Sequence, residues 1–152
     1  MVNRPGRGPP ATAASPVRRA AQAAGVLFLL IRVLGFIPGI TTNFDTMMFA
    51  GHESRANLLG LFQVSILHNL VHLAYGVAGL ALARTVSGAR TFLLAGGAIY
   101  LVLWLYGLVV GQETGANFVP LNTADDWLHL FLGLGMIGLG VASTRRPAGA
   151  RR

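Results

Sequence analysis

The stretch Thr91–Val110, TFLLAGGAIYLVLWLYGLVV, runs for twenty residues without an acidic or basic side chain before Gly111 ends it. A helix that crosses the roughly 30 Å hydrocarbon core of a bilayer needs about 20 mostly apolar residues. This segment therefore reads as a transmembrane helix over 91–110. Working outward, three further apolar runs emerge. One spans about 20–36 and is stopped by Pro38 and Gly39, one spans 65–83, and one spans 126–142. The residues before the second, 57–64, read as an interfacial amphipathic helix. The last span opens on Asn122-Thr123-Ala124-Asp125-Asp126, where Asn122 or Thr123 is a plausible N-cap and the two aspartates suit the positive end of the helix dipole. The expected fold is all-α: an integral membrane four-helix bundle over 20–143, with basic tails at 1–19 and 144–152.

Composition agrees. Hydrophobic residues make up 53% of the chain and charged residues 11%, where a soluble domain carries about a quarter charged. There is no cysteine, which excludes disulfides, thiolate metal sites and a cysteine nucleophile. The net charge of +7 raises nucleic-acid binding as a possibility, but the placement of the charges argues for topology instead. Arg4, Arg7, Arg18 and Arg19 precede the first span, Arg84 and Arg90 lie between the second and third, and Arg145, Arg146, Arg151 and Arg152 follow the fourth. All five acids fall in the other two connections, where Arg55 is the one exposed basic residue. Basic short loops stay in the cytoplasm, so both termini are expected there, and no nucleic-acid partner is expected. FIPGITTN after the first span offers no small-residue cleavage site, so that span reads as an uncleaved signal anchor.

The two halves of the chain resemble each other. Shifting the first span by 72 residues lays GVLFLLIRVLGFIPG on GAIYLVLWLYGLVVG and superposes Gly25, Gly35 and Gly39 on Gly97, Gly107 and Gly111. Shifting the second by 57 lays HLAYGVAGLAL on HLFLGLGMIGL, with His72 on His129 and Gly76 on Gly133. Each half runs in, out, in, so the copies are expected to be parallel repeats about an axis along the membrane normal. Small residues four apart, such as Gly35 with Gly39, Gly79 with Ala83 and Gly107 with Gly111, suit close helix packing within the bundle or a homodimer.

Polar side chains inside spans are costly and mark candidate sites. Here they are Arg32, His68, Asn69, His72 and His129. His68 and His72 stand one helical turn apart, and the repeat places Asp125 opposite His68 and Asp126 opposite Asn69. His68, His72, His129, Asp125 and Asp126 form a candidate divalent-metal set. His72 and His129 are alternatively candidate axial ligands of haem, and the histidines also suit proton transfer. The remaining reading is that they only hydrogen-bond between helices. Arg32 is expected to pair with Asp45, Asp125 or Asp126, because an unpaired guanidinium in lipid is expensive. No phosphate loop, serine elbow or paired intramembrane carboxylates support a kinase or hydrolase.

The segments GFIPGITTNFD, LLGLFQVSILHNLVHLAYGVAGLALAR and NFVPLNTADDWLHLFLGLGMIGLG resemble a family of small four-span membrane proteins of actinobacteria and related bacteria, grouped only as a domain of unknown function. The resemblance covers about residues 20–143 and implies an inner-membrane location and a four-helix architecture, but no activity and no catalytic residues. The functional expectation is a non-enzymatic structural or accessory membrane protein in contact with lipid, with a polar cluster at its outer mouth. The alternative is a haem- or metal-binding redox or metal-handling protein. A transporter fits less well, because the inner halves of the spans hold almost only Leu, Ala, Val and Gly.

Overall fold

The computed structural model describes residues 15–142. The basic stretches at 1–14 and 143–152, including Arg4, Arg7 and the four C-terminal arginines, lie outside the described residues. Four helices carry the fold: α1 (Pro16–Leu34), α2 (Ile66–Leu82), α3 (Val86–Val109) and α4 (Thr123–Ala142).

Local chemistry sets where these helices begin. Pro16 opens α1 at a position where its missing N–H costs nothing, so residues 16–19, expected to belong to the tail, are helical. Ser65 Oγ caps α2 by accepting from the His68 N–H at 3.1 Å, and Thr85 Oγ1 caps α3 by accepting from Gly88 at 3.0 Å. Because Thr85 nucleates α3, that helix starts at Val86 and not at Thr91, and Arg90 sits within it. At α4 the cap is reciprocal. Asn122 Oδ1 accepts from the Asp125 N–H at 3.0 Å, and Asp125 Oδ2 accepts from the Asn122 N–H at 3.2 Å, an arrangement that satisfies two orphan donors at once. The far end of α2 is closed by Arg18, whose Nε donates to the Ala83 carbonyl at 3.0 Å.

The helices pack as two hairpin-like pairs, α1 on α2 and α3 on α4, joined chiefly through α1 against α3. Glycine sets the spacing inside each pair. A Cβ on Gly76 would lie 2.9 Å from the Gly25 carbonyl oxygen, and one on Gly25 would lie 3.0 Å from that of Gly76. In the second pair a Cβ on Gly133 would lie 3.0 Å from the Gly97 carbonyl oxygen, and one on Gly97 would lie 2.8 Å from that of Gly133. The flanking side chains correspond as well: Leu29 and Leu80 crowd the first contact, Leu101 and Ile137 the second. Toward the other connection, Asn69 sits over Gly35 and Asp126 over Gly107.

The connection from α1 to α2 is not helical over 57–64, so the expected interfacial helix and the strictly all-α fold are both corrected. The segment forms two short strands, β2 (Asn57–Leu58) and β3 (Phe62–Gln63), and β2 also pairs antiparallel with β1 (Thr41–Thr42). The reversal occurs at Leu59 and Gly60, both with positive φ, of 55° and 70°. A helix cannot absorb those dihedrals, and Gly60 makes the turn inexpensive.

This small sheet forms a lid over one end of the bundle. Thr41 Oγ1 donates to the Leu34 and Gly35 carbonyls at the end of α1, both at 3.2 Å. The first N–H groups of α2, which have no partner within the helix, donate to lid carbonyls: Ile66 to Met48 at 3.1 Å and Leu67 to Phe49 at 2.8 Å. Asn122 Nδ2 reaches back to the Leu61 carbonyl at 2.8 Å, which ties the lid to the start of α4.

Of the four helices, α3 is both long and apolar enough to cross a membrane, with a mean hydropathy of 2.1. Helix α2 is apolar but only 17 residues long. The large apolar side chains that remain exposed are spread over every helix and include Leu30, Val77, Val102 and Phe131.

The glycine contacts predict an asymmetric response to substitution. Gly76→Val forces backbone apart across the α1–α2 contact and is expected to lower the unfolding midpoint in detergent, by an amount equivalent to about 1–3 kcal/mol. Gly138→Ala, whose Cβ would meet nothing within 4 Å, should leave the midpoint unchanged or slightly raised. Thermal unfolding followed by circular dichroism distinguishes the two.

Candidate functional site

The polar residues singled out from sequence converge beneath the lid. Arg32 comes from the last turn of α1, His68, Asn69 and His72 from the first turns of α2, and Asp125, Asp126 and His129 from the first turns of α4. None exposes more than 6% of its surface. Both α2 and α4 thus place polar side chains one to two turns inside their N-termini, where the caps hold the backbone.

Histidine is at the centre. One ligand atom from each of His68, His72 and His129 can be chosen such that all three lie within 4.8 Å of one another. His72 Nδ1 donates to the His68 carbonyl at 3.0 Å, which fixes its tautomer and leaves Nε2 with a free lone pair. Arg32 Nη2 donates to His68 Nε2 at 3.2 Å. The expected direct pairing of Arg32 with an acid is therefore replaced by a bond to histidine, and Asp125 is the carboxylate whose charge acts on the guanidinium from farther away. Of the other acids proposed as partners, Asp45 lies exposed in the lid, away from the cluster.

Asp125 joins the cluster to the lid. Its Oδ2 accepts from the Gln63 backbone N–H on β3 at 2.9 Å, in addition to closing the α4 cap. Gln63 in turn donates through Nε2 to the His52 and Ser54 carbonyls at 3.1 and 2.7 Å. His52 itself stays in the lid beside Glu53, with His52 Nε2 3.1 Å from Glu53 Oε1, and takes no part in the buried cluster.

An aromatic floor, not anticipated from the sequence, closes the cluster from below. Phe28 and Tyr100 stack with centroids 5.5 Å apart and planes at 11°. Tyr100 lies 5.2 Å from the His129 ring and 5.9 Å from that of His72. The His72 and His129 rings are nearly parallel, at 6.3 Å and 6°. A signal was available in the sequence, since the 72-residue shift that aligns the glycines also lays Phe28 on Tyr100.

Many buried polar atoms here have no hydrogen-bond partner: Arg32 Nε and Nη1, Asn69 Oδ1, Asp125 Oδ1, Asp126 Oδ1 and both ring nitrogens of His129. Each such group costs about 1–3 kcal/mol if left unsatisfied. All of these atoms belong to the residues that meet beneath the lid. Haem does not fit between His72 and His129, because a porphyrin there would displace Phe28, Tyr100 and His68, whose rings already pack against His72 at 6.0, 5.9 and 4.7 Å.

A family model described as a domain of unknown function (DUF4383) matches residues 18–142. No curated protein and no solved structure matches the chain.

The link through Asp125 predicts where the structure loosens first. Asp125→Ala removes two charge-assisted bonds, each worth about 1.5–3 kcal/mol. Backbone amides of 57–63 and 122–125 should then exchange with solvent markedly faster, while the α1–α2 contact at Gly25 and Gly76 keeps its protection. Hydrogen exchange read by mass spectrometry checks this.

Proposed function

The chain belongs to the DUF4383 family of domains of unknown function, and from that premise we propose that it is a multi-pass protein of the bacterial inner membrane, with both termini cytoplasmic, acting as a non-enzymatic structural or accessory component. The observation that carries this reading is the inverted distribution of polarity. Charged and polar side chains, Arg32, Asp125, Asp126 and the three histidines, are buried, whereas Leu30, Val77, Val102, Val109 and Phe131 are 59–85% exposed, on all four helices. A soluble monomer rarely exposes contiguous apolar patches beyond a few hundred Å², and lipid is the solvent that reverses this preference. Charge supports the orientation, with Arg18, Arg19, Arg84 and Arg90 at the end away from the lid and Asp45, Glu53 and Glu113 in the lid-side connections.

The fold reading within this proposal is a duplicated helical pair with a pseudo-twofold axis along the bundle. Supporting it, the glycine contacts recur at positions offset by the same two shifts that align the sequence, as do the caps Ser65 and Asn122. Two pairs of equivalent residues, Phe28 with Tyr100 and His72 with His129, lie against each other with nearly parallel planes. Residues on a twofold axis meet their own counterparts in this way. The small-residue positions Gly35, Gly79 and Gly107 face Asn69, Phe92 and Asp126 within the chain, so their role in this reading is packing of the bundle itself, with lipid as the outer partner.

Because the chain contains no cysteine, single introduced cysteines report topology cleanly. Both Glu53 and Ser87 are exposed. Glu53→Cys should react with a membrane-impermeant maleimide in intact spheroplasts, and Ser87→Cys only after permeabilisation. The protein should also stay with membranes through alkaline carbonate and leave only with detergent. Release by carbonate would overturn the membrane reading, and reversed labelling would overturn the orientation alone.

A further inference from the structure

We propose that His68, His72 and His129 bind one borderline divalent transition-metal ion of the Zn²⁺ class beneath the lid. Three observations converge on this. The three ligand atoms already lie within 4.8 Å of one another, so modest side-chain motion brings them to the separations that a single ion about 2.0–2.1 Å from each nitrogen requires. His72 has the outer-shell arrangement typical of a metal ligand, with Nδ1–H held by a backbone carbonyl and Nε2 left free. His129 is buried with neither ring nitrogen bonded to protein, a costly condition that a metal bond at one nitrogen relieves.

The chemistry of the set selects the ion. Three imidazoles favour Zn²⁺, Co²⁺, Ni²⁺ or Cu²⁺ over Mg²⁺ and Ca²⁺, which take oxygen ligands. Three protein nitrogens leave a fourth position for water or a carboxylate oxygen. Asp125 and Asp126, grouped with the histidines in the sequence reading, do not belong to the three-histidine group, so water fills that position in this proposal.

Arg32 is the opposing element, since it is cationic and its Nη2 occupies His68 Nε2. Ligation through His68 Nε2 requires that this bond yield, with the guanidinium turning toward Asp125, whose charge already acts on it, whereas ligation through Nδ1, which has no hydrogen-bond partner, leaves the bond in place. Asp125 is the carboxylate whose charge acts on that guanidinium, while the Asp126 carboxylate sits over Gly107 of α3. The ion would then join the α1–α2 pair to α4.

The test uses the full chain, purified in detergent and stripped with chelator, then titrated with Co²⁺ as a visible-absorbing probe and competed with Zn²⁺. One Co²⁺ per chain is expected, displaced by one Zn²⁺. His68→Gln, His72→Gln and His129→Gln should each weaken binding by at least about 100-fold, more than the loss of an outer-shell partner would. His52→Gln, which alters the half-buried lid histidine beside Glu53, should change nothing. Should any of the buried variants fail to fold, X-ray absorption of the Zn²⁺-loaded unmodified protein decides, with three imidazole nitrogens at about 2.0–2.1 Å expected. No stoichiometric binding, binding lost in His52→Gln, or fewer than three imidazoles around the ion would each overturn the proposal.

Discussion

Two glycine-on-glycine contacts, Gly25 with Gly76 and Gly97 with Gly133, set the spacing on which the rest of the structure depends. In each the backbones approach so closely that an added Cβ would press on a carbonyl oxygen. One turn before Gly76 along α2 stands His72, and one turn before Gly133 along α4 stands His129. Above these contacts the space between the helices is filled by the Phe28, Tyr100, His72 and His129 rings. A larger residue at Gly76 would push α2 away from α1 and lift His68 off Arg32, whose bond spans only 3.2 Å. The site is therefore a consequence of packing lower in the bundle as much as of its own residues.

Much of this could be read from the chain before any coordinates. Apolar run length located four helices, and the alignment of glycines with His72 and His129 pointed to the two pairs that pack. What could not be read were the boundaries and the lid. Apolarity begins at Thr91, but the helix begins where Thr85 can cap it, because a cap acts through a single hydroxyl and not through composition. Leu58–Gln63 has the spacing of an amphipathic turn of helix, yet the positive φ of Leu59 and Gly60 redirects it into a hairpin. That choice is made by tertiary bonds, such as Leu59 N–H to the Ile40 carbonyl at 2.9 Å, which no local pattern reports.

The candidate site was legible in membership but not in wiring. The polar residues stood out because apolar runs surround them, and aligning the two halves set His68 against Asp125 and His72 against His129. The partner of Arg32 was misread as an acid, since charge pairing is the only rule available when positions in space are unknown. In the folded chain Asp125 Oδ2 accepts from the Gln63 and Asn122 backbone N–H groups, and the acceptor that Arg32 Nη2 meets is His68 Nε2. Phe28 and Tyr100 escaped notice because aromatic residues in an apolar helix are unremarkable until two of them are seen to stack across the bundle.

The differences between the two halves carry as much meaning as the likeness. Under the proposed duplication Arg32 corresponds to Trp104, His68 to Asp125 and Asn69 to Asp126. Two identical copies meeting at an axis would place like groups at equivalent sites, arginine with arginine or aspartate with aspartate, and like charges in a dry interior repel strongly. Divergence at these three positions gives one half a guanidinium and the other two carboxylates, while the residues nearest the axis, His72 and His129, stay the same. An imidazole can face its own copy without penalty because its neutral form is both donor and acceptor. The symmetric part of the cluster can thus supply matched ligands and the asymmetric part balanced charge, a combination that neither half contains alone.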